Sequence, residues 1–255
     1  LVTNQLTEEQ IETYRRKGYL HLPALFPSED VAAWDAESRR LLKLGLSRED
    51  NLRAVSKPFA PGVAIVDRLN PVIDLSPIFM ALVRDARITQ AVDELAGGPV
   101  LLFKDKLIYK MPGISGYAMH QDYSMWQTFP AGMINVLVSI DDANRENGGV
   151  EFFPGHHHRL LSATGDIRYM NLEEASEIDI DSGEIISTEP GDVVIFSDLT
   201  PHRSGPNRSG RMRRQLYLTY SLARHGDLYQ QQLEFITERR RKKAGVENRD
   251  RVHFE

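Results

Sequence analysis

The first hundred residues read as helical, and the stretch that follows reads as short strands. Thr7 ahead of Glu8, Glu9 and Gln10, and Ser28 ahead of Glu29 and Asp30, are helix start signals; the second opens a run from Val31 to Leu44 that Gly45 can end. Another helical pattern spans Ala86 to Leu95 and stops at Gly97-Gly98. From about Pro99 the texture changes. Val100 to Tyr109, Met133 to Ile140, Gly149 to Phe153, Val193 to Phe196 and Gln215 to Tyr220 are short β-rich runs separated by Gly, Pro, Asn and Asp. The pattern predicts a mainly β fold with flanking helices, a barrel or double-sheet roll, in one domain over 1–255. Its parts are helices over 1–98, a β core over 99–222 and a helical tail over 223–255. The tail helix, Leu228 to Gly245, carries Arg239, Arg240, Arg241, Lys242 and Lys243, expected as a solvated face, with an anion or partner site as the alternative.

Composition narrows the chemistry. With 31 Lys+Arg against 36 Asp+Glu the net charge is −5, so a nucleic-acid partner that needs a broad cationic face is not expected. No cysteine is present, which removes disulfides, thiolate nucleophiles, iron–sulfur clusters and Cys-based zinc sites. Any metal must be held by His, Asp or Glu. Apolar runs fall far short of the ~18 residues of a membrane span, and Leu1 to Gln10 has no basic-then-apolar signal pattern. The expectation is a cytoplasmic protein with no membrane partner.

Among the eight histidines, His120 stands two residues before Asp122, and on an extended segment both side chains would point to one face and chelate one ion. Alone, the pair is a weak signal and reads rather as a surface His near a surface Asp. A second segment changes the balance: Pro190-Gly191-Asp192 turns into the apolar run Val193 to Phe196, followed by His202, Ser204 and, eleven residues after His202, Arg213. The strand is expected to deliver His202 at its end. Two His and a carboxylate leave three adjacent positions open on an octahedral metal, the arrangement of non-haem Fe(II) oxygenases, and an inward Arg offers a planar fork for a carboxylate. Asn147-Gly148-Gly149 and Pro154-Gly155 are read as turns, His156 to His158 as loop residues, and Asp141 and Asp142 as strand terminators.

The ordered set His120-x-Asp122, Asn147-Gly148-Gly149, Pro154-Gly155-x-His157, Pro190-Gly191-Asp192, His202-x-Ser204-Gly205-x-Asn207 and Arg213 resembles the phytanoyl-CoA dioxygenase family of Fe(II)- and 2-oxoglutarate-dependent oxygenases. The likeness is strong over Phe103 to Tyr220. It implies a double-stranded β-helix (a cupin-like jelly roll), iron ligation by His120, Asp122 and His202, and O2 as oxidant. It places Arg213 on the distal carboxylate of 2-oxoglutarate, with Ser204 at that end and Lys106, among its neighbours on the strand, facing the cosubstrate. Val138 stands where some relatives have an aromatic beside 2-oxoglutarate. Retention of Asp122 implies hydroxylation rather than halogenation.

For the substrate, the resemblance implies a small molecule. Trp126 matches a Trp that lies over a zwitterion in ectoine hydroxylases; with Tyr123 and Tyr217 it is expected at the mouth, as a cage for a cationic nitrogen. The stretch from His120 to Trp126 also resembles aminoalkylphosphonate hydroxylases, with Lys104, Lys110 or Arg214 as anion anchors. A natural-product tailoring oxygenase and a non-catalytic cupin-like binding protein are the alternatives. Leu160 to Glu189, acidic and without a strand pattern, is expected to act as a lid.

Overall fold

A computed structural model of the chain describes residues 5–44, 53–162 and 169–244. In chain order the elements are α1 (Glu8–Lys17), β1 (Tyr19–Leu22), α2 (Ser28–Lys43), β2 (Ala54–Ala60), β3 (Val63–Leu69), α3 (Pro77–Val83), α4 (Ala86–Ala96), β4 (Val100–Lys110), β5 (Tyr117–His120), β6 (Ile134–Ser139), β7 (Val150–Phe152), α5 (Leu172–Ala175), β8 (Glu184–Ile185), β9 (Val193–Ser197), β10 (His202–Ser204), β11 (Arg213–Leu222) and α6 (Tyr229–Ala244). A seven-stranded sheet runs β1-β9-β6-β11-β4-β3-β2, and a four-stranded one runs β5-β10-β7-β8. The chain alternates between these two antiparallel sheets, which is the jelly roll expected from the sequence.

Period two sorts β11 between two environments. Leu216, Leu218 and Tyr220 join Leu107, Val136 and Val193 beneath the helices, against Trp34, Phe79 and Ile88. Tyr217 belongs to the cluster between the sheets, with Ile108, Leu137, Phe152 and Phe196. Arg213, Gln215 and Thr219 share the face of Tyr217. Helices cover one side of the strand and the small sheet the other, so β11 is buried along nearly its whole length. Its inward polar residues must therefore find a partner or a ligand. Two tyrosine hydroxyls pin the helical layer: Tyr109 donates to the Ser38 carbonyl and Tyr220 to that of Val83, each at 2.8 Å.

The end signals of α1 and α4 act as read. Thr7 and Gln10 form a capping box, and Gly97 closes α4 at φ 72°. The N-terminal part, however, is not purely helical. β1 forms one edge of the large sheet against β9, and β2 with β3 extends the other edge beyond β4. Four residues with a partner far along the chain carry no local pattern strong enough to announce β1. Ser28 is the first residue of α2 and not its cap; Pro27 holds that position without a side-chain hydrogen bond. The expected stops at Gly45 and Gly245 lie outside the described residues. On α6, Arg240 is not solvated but donates to the Asn70 carbonyl at 2.7 Å and to its Oδ1 at 2.5 Å. Among the described residues no helix is long and apolar enough to cross a membrane.

Candidate active site

β5 stops on His120, and a short 3-10 turn over Asp122–Met125 then swings the carboxylate back toward the histidine. The pair converges through that turn, not through alternation along one strand. His202 does not end the Val193 strand as expected: β9 finishes at Ser197, the chain crosses to the small sheet, and His202 opens β10 directly opposite His120. The two imidazole centroids lie 4.2 Å apart, His120 Nε2 is 3.9 Å from Asp122 Oδ1, and one ligand atom from each residue falls within 4.8 Å of the others.

The protonation states suit a cation. His120 Nδ1 lies 2.8 Å from the Ala118 carbonyl and His202 Nδ1 2.9 Å from that of Thr200, so each Nδ1–H donates to backbone two residues back and each Nε2 lone pair is left for a metal. Burial, then the neighbouring His202, lowers the His120 pKa to about 3; burial lowers that of His202. Burial alone would raise Asp122, but Lys104, Lys106 and the two histidines hold its carboxyl well below the usual range. Two neutral imidazoles and one carboxylate on a common face fit a ferrous ion with open positions.

At one end of the lumen lies Arg213, 1% exposed, its Nη1 bonded to Gln215 Oε1 and its Nε buried without a partner. No carboxylate among the described residues pairs with it. Opposite it in register, Lys110 donates to Ser204 Oγ at 3.0 Å and to the carbonyls of Gly148 at 3.1 Å and Gly205 at 2.5 Å. Burial, followed by the charges of Arg213 and Lys57, pushes the Lys110 pKa down to about 6. Arg213, Lys110 and Ser204 thus make a cationic pocket lacking its anion, which fits the distal carboxylate of a keto acid. Lys110 belongs to this pocket, and the Asn147-Gly148-Gly149 turn, read as free of ligand contacts, supports it. The sequence offered Lys110 as an anchor for a substrate anion; register places it beside Arg213 and Ser204 instead, and the part played by the turn was not visible before that.

Lys106 faces the lumen midway, its Nζ 4.7 Å from the Tyr217 ring centroid, and burial lowers its pKa to about 8. Tyr217 donates to Gln215 Oε1 at 3.0 Å. Val138 lies on the helix-facing side, so that position cannot touch the cosubstrate whatever side chain it bears. The three aromatics do not close one cage. Trp126 is buried among Phe103, Met133, Leu228 and Ile236, Tyr123 packs on that same cluster, and Tyr217 sits in the other. Lys104 Nζ stands 5.1 Å from the Trp126 ring, so protein ammoniums already lie over both Trp126 and Tyr217. Arg214 points away from the lumen, its guanidinium bound to Asp35 and Asp141 at 2.6 Å each.

Two features escaped the sequence. Lys57, Asp67, Arg68 and Tyr117 form a buried network, with Lys57 3.2 Å and Arg68 3.1 Å from Asp67 and the Tyr117 hydroxyl bonded to the same carboxylate. Tyr169 meets the His120 ring edge-on, centroids 5.9 Å apart. It belongs to the expected lid, which holds α5 and β8 and buries Leu161, Met170 and Ile178 against Met119 and Phe153. His157 Nε2 lies 3.1 Å from the Arg15 carbonyl, and none of His156 to His158 joins the ligand cluster.

Comparison with known proteins places these residues in context. A family model described as phytanoyl-CoA dioxygenase (PhyH) matches residues 14–215. The chain is 29% identical to a methylphosphonate hydroxylase of Gimesia maris, covering 95% of this chain and 90% of that protein. It is 26% identical to a 2-aminoethylphosphonate dioxygenase from the uncultured bacterium HF130_AEPn_1, over 92% and 88%. Among solved structures, the epimerase SnoN in complex with Fe3+, alpha ketoglutarate and nogalamycin RO superposes with a TM-score of 0.70 at 24% identity, covering 85% of this chain and 83% of SnoN.

Proposed function

Because the chain belongs to the phytanoyl-CoA dioxygenase family, we propose that it is an Fe(II)- and 2-oxoglutarate-dependent oxygenase that hydroxylates a small molecule bearing an oxyanion, an alkylphosphonate first among them. The carrying observation is the juxtaposition of a two-histidine, one-aspartate face with a buried guanidinium that has no counter-ion. His120, Asp122 and His202 would hold the metal, and Arg213 with Ser204 and Lys110 the far carboxylate of the keto acid. The bound ferrous ion supplies the oxidation: O2 and 2-oxoglutarate yield CO2 and succinate, and the second oxygen atom enters a substrate C–H bond.

The chain's own residues position and shield. The Ala118 and Thr200 carbonyls orient the imidazoles, and Lys106 over Tyr217 supplies positive charge beside Asp122 for the end of the keto acid nearest the metal. The apolar wall of Phe152, Phe196 and Leu137 keeps the lumen dry, which strengthens every charge contact inside it. The relatives' names favour phosphonates. The lumen favours an anion over a cationic amine, since ammoniums already cover the rings. A purely binding role is disfavoured because no ligand position of the metal face is lost.

The test is succinate formation from 2-oxoglutarate under air with ferrous iron. Methylphosphonate or 2-aminoethylphosphonate is expected to stimulate it, a chelator to abolish it, and Asp122→Ala to lower it by at least 100-fold. Equal succinate from wild type and Asp122→Ala would overturn the proposal.

A further inference from the structure

The lumen has a second unpaired cationic end, away from Arg213. Lys104 lies on the same face of β4 as Lys106 and Lys110 and pairs in register with Thr219. It is 6% exposed, and among the described residues its ammonium has neither a hydrogen bond nor an ion pair within reach; it stands over the face of Trp126 and feels the charges of Asp122, then Arg68, Asp105 and Asp198, without direct contact. Thr219 donates to Asn135 Oδ1 at 2.7 Å, which leaves the Asn135 Nδ2 buried and without an acceptor. Asn135 registers with Phe196, whose ring lies 5.1 Å from that of His202, so it faces the lumen too. On α6, Gln232 falls between Leu228 and Ile236 on the face that covers Trp126, and both its amide atoms are buried without partners. Buried donors and charges without partners are costly to fold, and the placement of Lys104 and Asn135 on either side of Thr219 at one end of the lumen points to a polar ligand there.

That ligand is not the keto acid. Lys104 and Lys110 are six residues apart on an extended strand, about 20 Å between Cα positions, with the metal-binding face between them. A five-carbon diacid held at Arg213 and at the metal keeps one free oxygen, on the metal-bound carboxylate, and Lys106, between the two ends of the strand face, is the ammonium placed for it. Once Asp122 is committed to the metal and Asp67 to Lys57 and Arg68, the buried carboxylates whose charge still reaches Lys104 are Asp105 and Asp198; Asp105 accepts from the Val72 and Ile73 amides and Asp198 from that of Met133, and neither forms an ion pair with the ammonium. Resting on the oxygenase reading above, we infer that Lys104 and the Asn135 amide form the substrate anchor, binding a phosphonate group at the Trp126 end so that the carbon attached to phosphorus lies toward the metal. A phosphonate suits this end better than a carboxylate. Its three oxygens can accept together from an ammonium and an amide set at different angles, and its larger negative charge meets an uncompensated cation.

The experiment uses the full chain loaded with Co(II) and 2-oxoglutarate, without turnover. The cobalt visible spectrum reports keto-acid binding, and calorimetry reports methylphosphonate, 2-aminoethylphosphonate and acetate. Wild type is expected to bind at least one phosphonate, and more tightly than acetate. Lys104→Met is expected to weaken that binding at least ten-fold while the cobalt spectrum still responds to 2-oxoglutarate, and Lys104→Arg to restore part of it. Removing an unpaired buried charge should also raise the melting temperature of Lys104→Met, whereas a lysine kept for structure would lower it when replaced. Asn135→Asp, which keeps the Thr219 bond but turns the donor into a like charge, is expected to weaken phosphonate binding at least as much. Phosphonate affinity unchanged in both variants, or no phosphonate binding by a wild type that binds 2-oxoglutarate, overturns the anchor and leaves the oxygenase reading standing. A wild type that fails to bind 2-oxoglutarate overturns both.

Discussion

At the scale of single residues, the lumen is a row of charges prepared for absent counter-charges. Lys110 illustrates the consequence for pH. In the free site burial and Arg213 hold its pKa at about 6, so at pH 8 most of the amine is neutral. A carboxylate arriving at Arg213 favours the charged form and raises that pKa, so the protein must take up protons as 2-oxoglutarate binds. Titration calorimetry at pH 8 should give a more positive apparent enthalpy in Tris than in phosphate, and Lys110→Met should shrink that difference; equal enthalpies in both buffers for wild type would contradict the assignment. The convergence of His120, Asp122 and His202 was legible from spacing and residue type, because a ligand set needs particular side chains. Lys104, Lys110 and Arg214 were offered together as anion anchors, and only strand register separates them: Arg214 faces Asp35 and Asp141, Lys110 joins Arg213, and Lys104 stands at the Trp126 end beside Asn135, which carried no signal of its own.

At the scale of elements, the proposed metal site depends on how closely the two short strands of the small sheet approach. Gly116, just before β5, lies so near β10 that an added Cβ would sit 1.8 Å from the Ser204 carbonyl oxygen. The clash is with backbone, so no rotamer relieves it. Gly116→Ala is expected to cost more than about 3 kcal/mol in chemical denaturation and to weaken Co(II) binding by separating His120 from His202. An unfolding midpoint equal to wild type would show that the strands can part without penalty. The long strands β4, β6, β9 and β11 were readable because each is a run of apolar or alternating residues bounded by turn formers. β1, β8 and β10 were not, being two to four residues long and defined by partners far along the chain.

For the whole molecule, net charge and site charge have opposite signs: the chain carries −5, while its lumen gathers Lys57, Arg68, Lys104, Lys106, Lys110 and Arg213 around few carboxylates. Composition argued against a broad basic surface and could not reveal an enclosed basic one. The segment from Leu160 to Glu189 was read as a lid without a strand pattern, yet its part from Tyr169 onward is docked, with the Met170 amide donating to the Met119 carbonyl at 2.8 Å. Excising residues 172–182 should lower substrate-coupled hydroxylation at least ten-fold and raise the fraction of succinate formed without product; unchanged coupling would mark the segment as a covering only.

The backbone carbonyls that hold both histidine rings by Nδ1 have one more consequence. Because each imidazole is oriented by its own chain before any ion arrives, the site does not need iron to assemble and has little means of refusing its competitors. Nickel, copper and zinc bind such nitrogen and oxygen donors more tightly than ferrous iron does. Protein purified from a metal-rich medium should therefore carry the wrong ion and lie dormant until stripped and refilled, so that cellular metal supply, and not the fold, sets how much of it works.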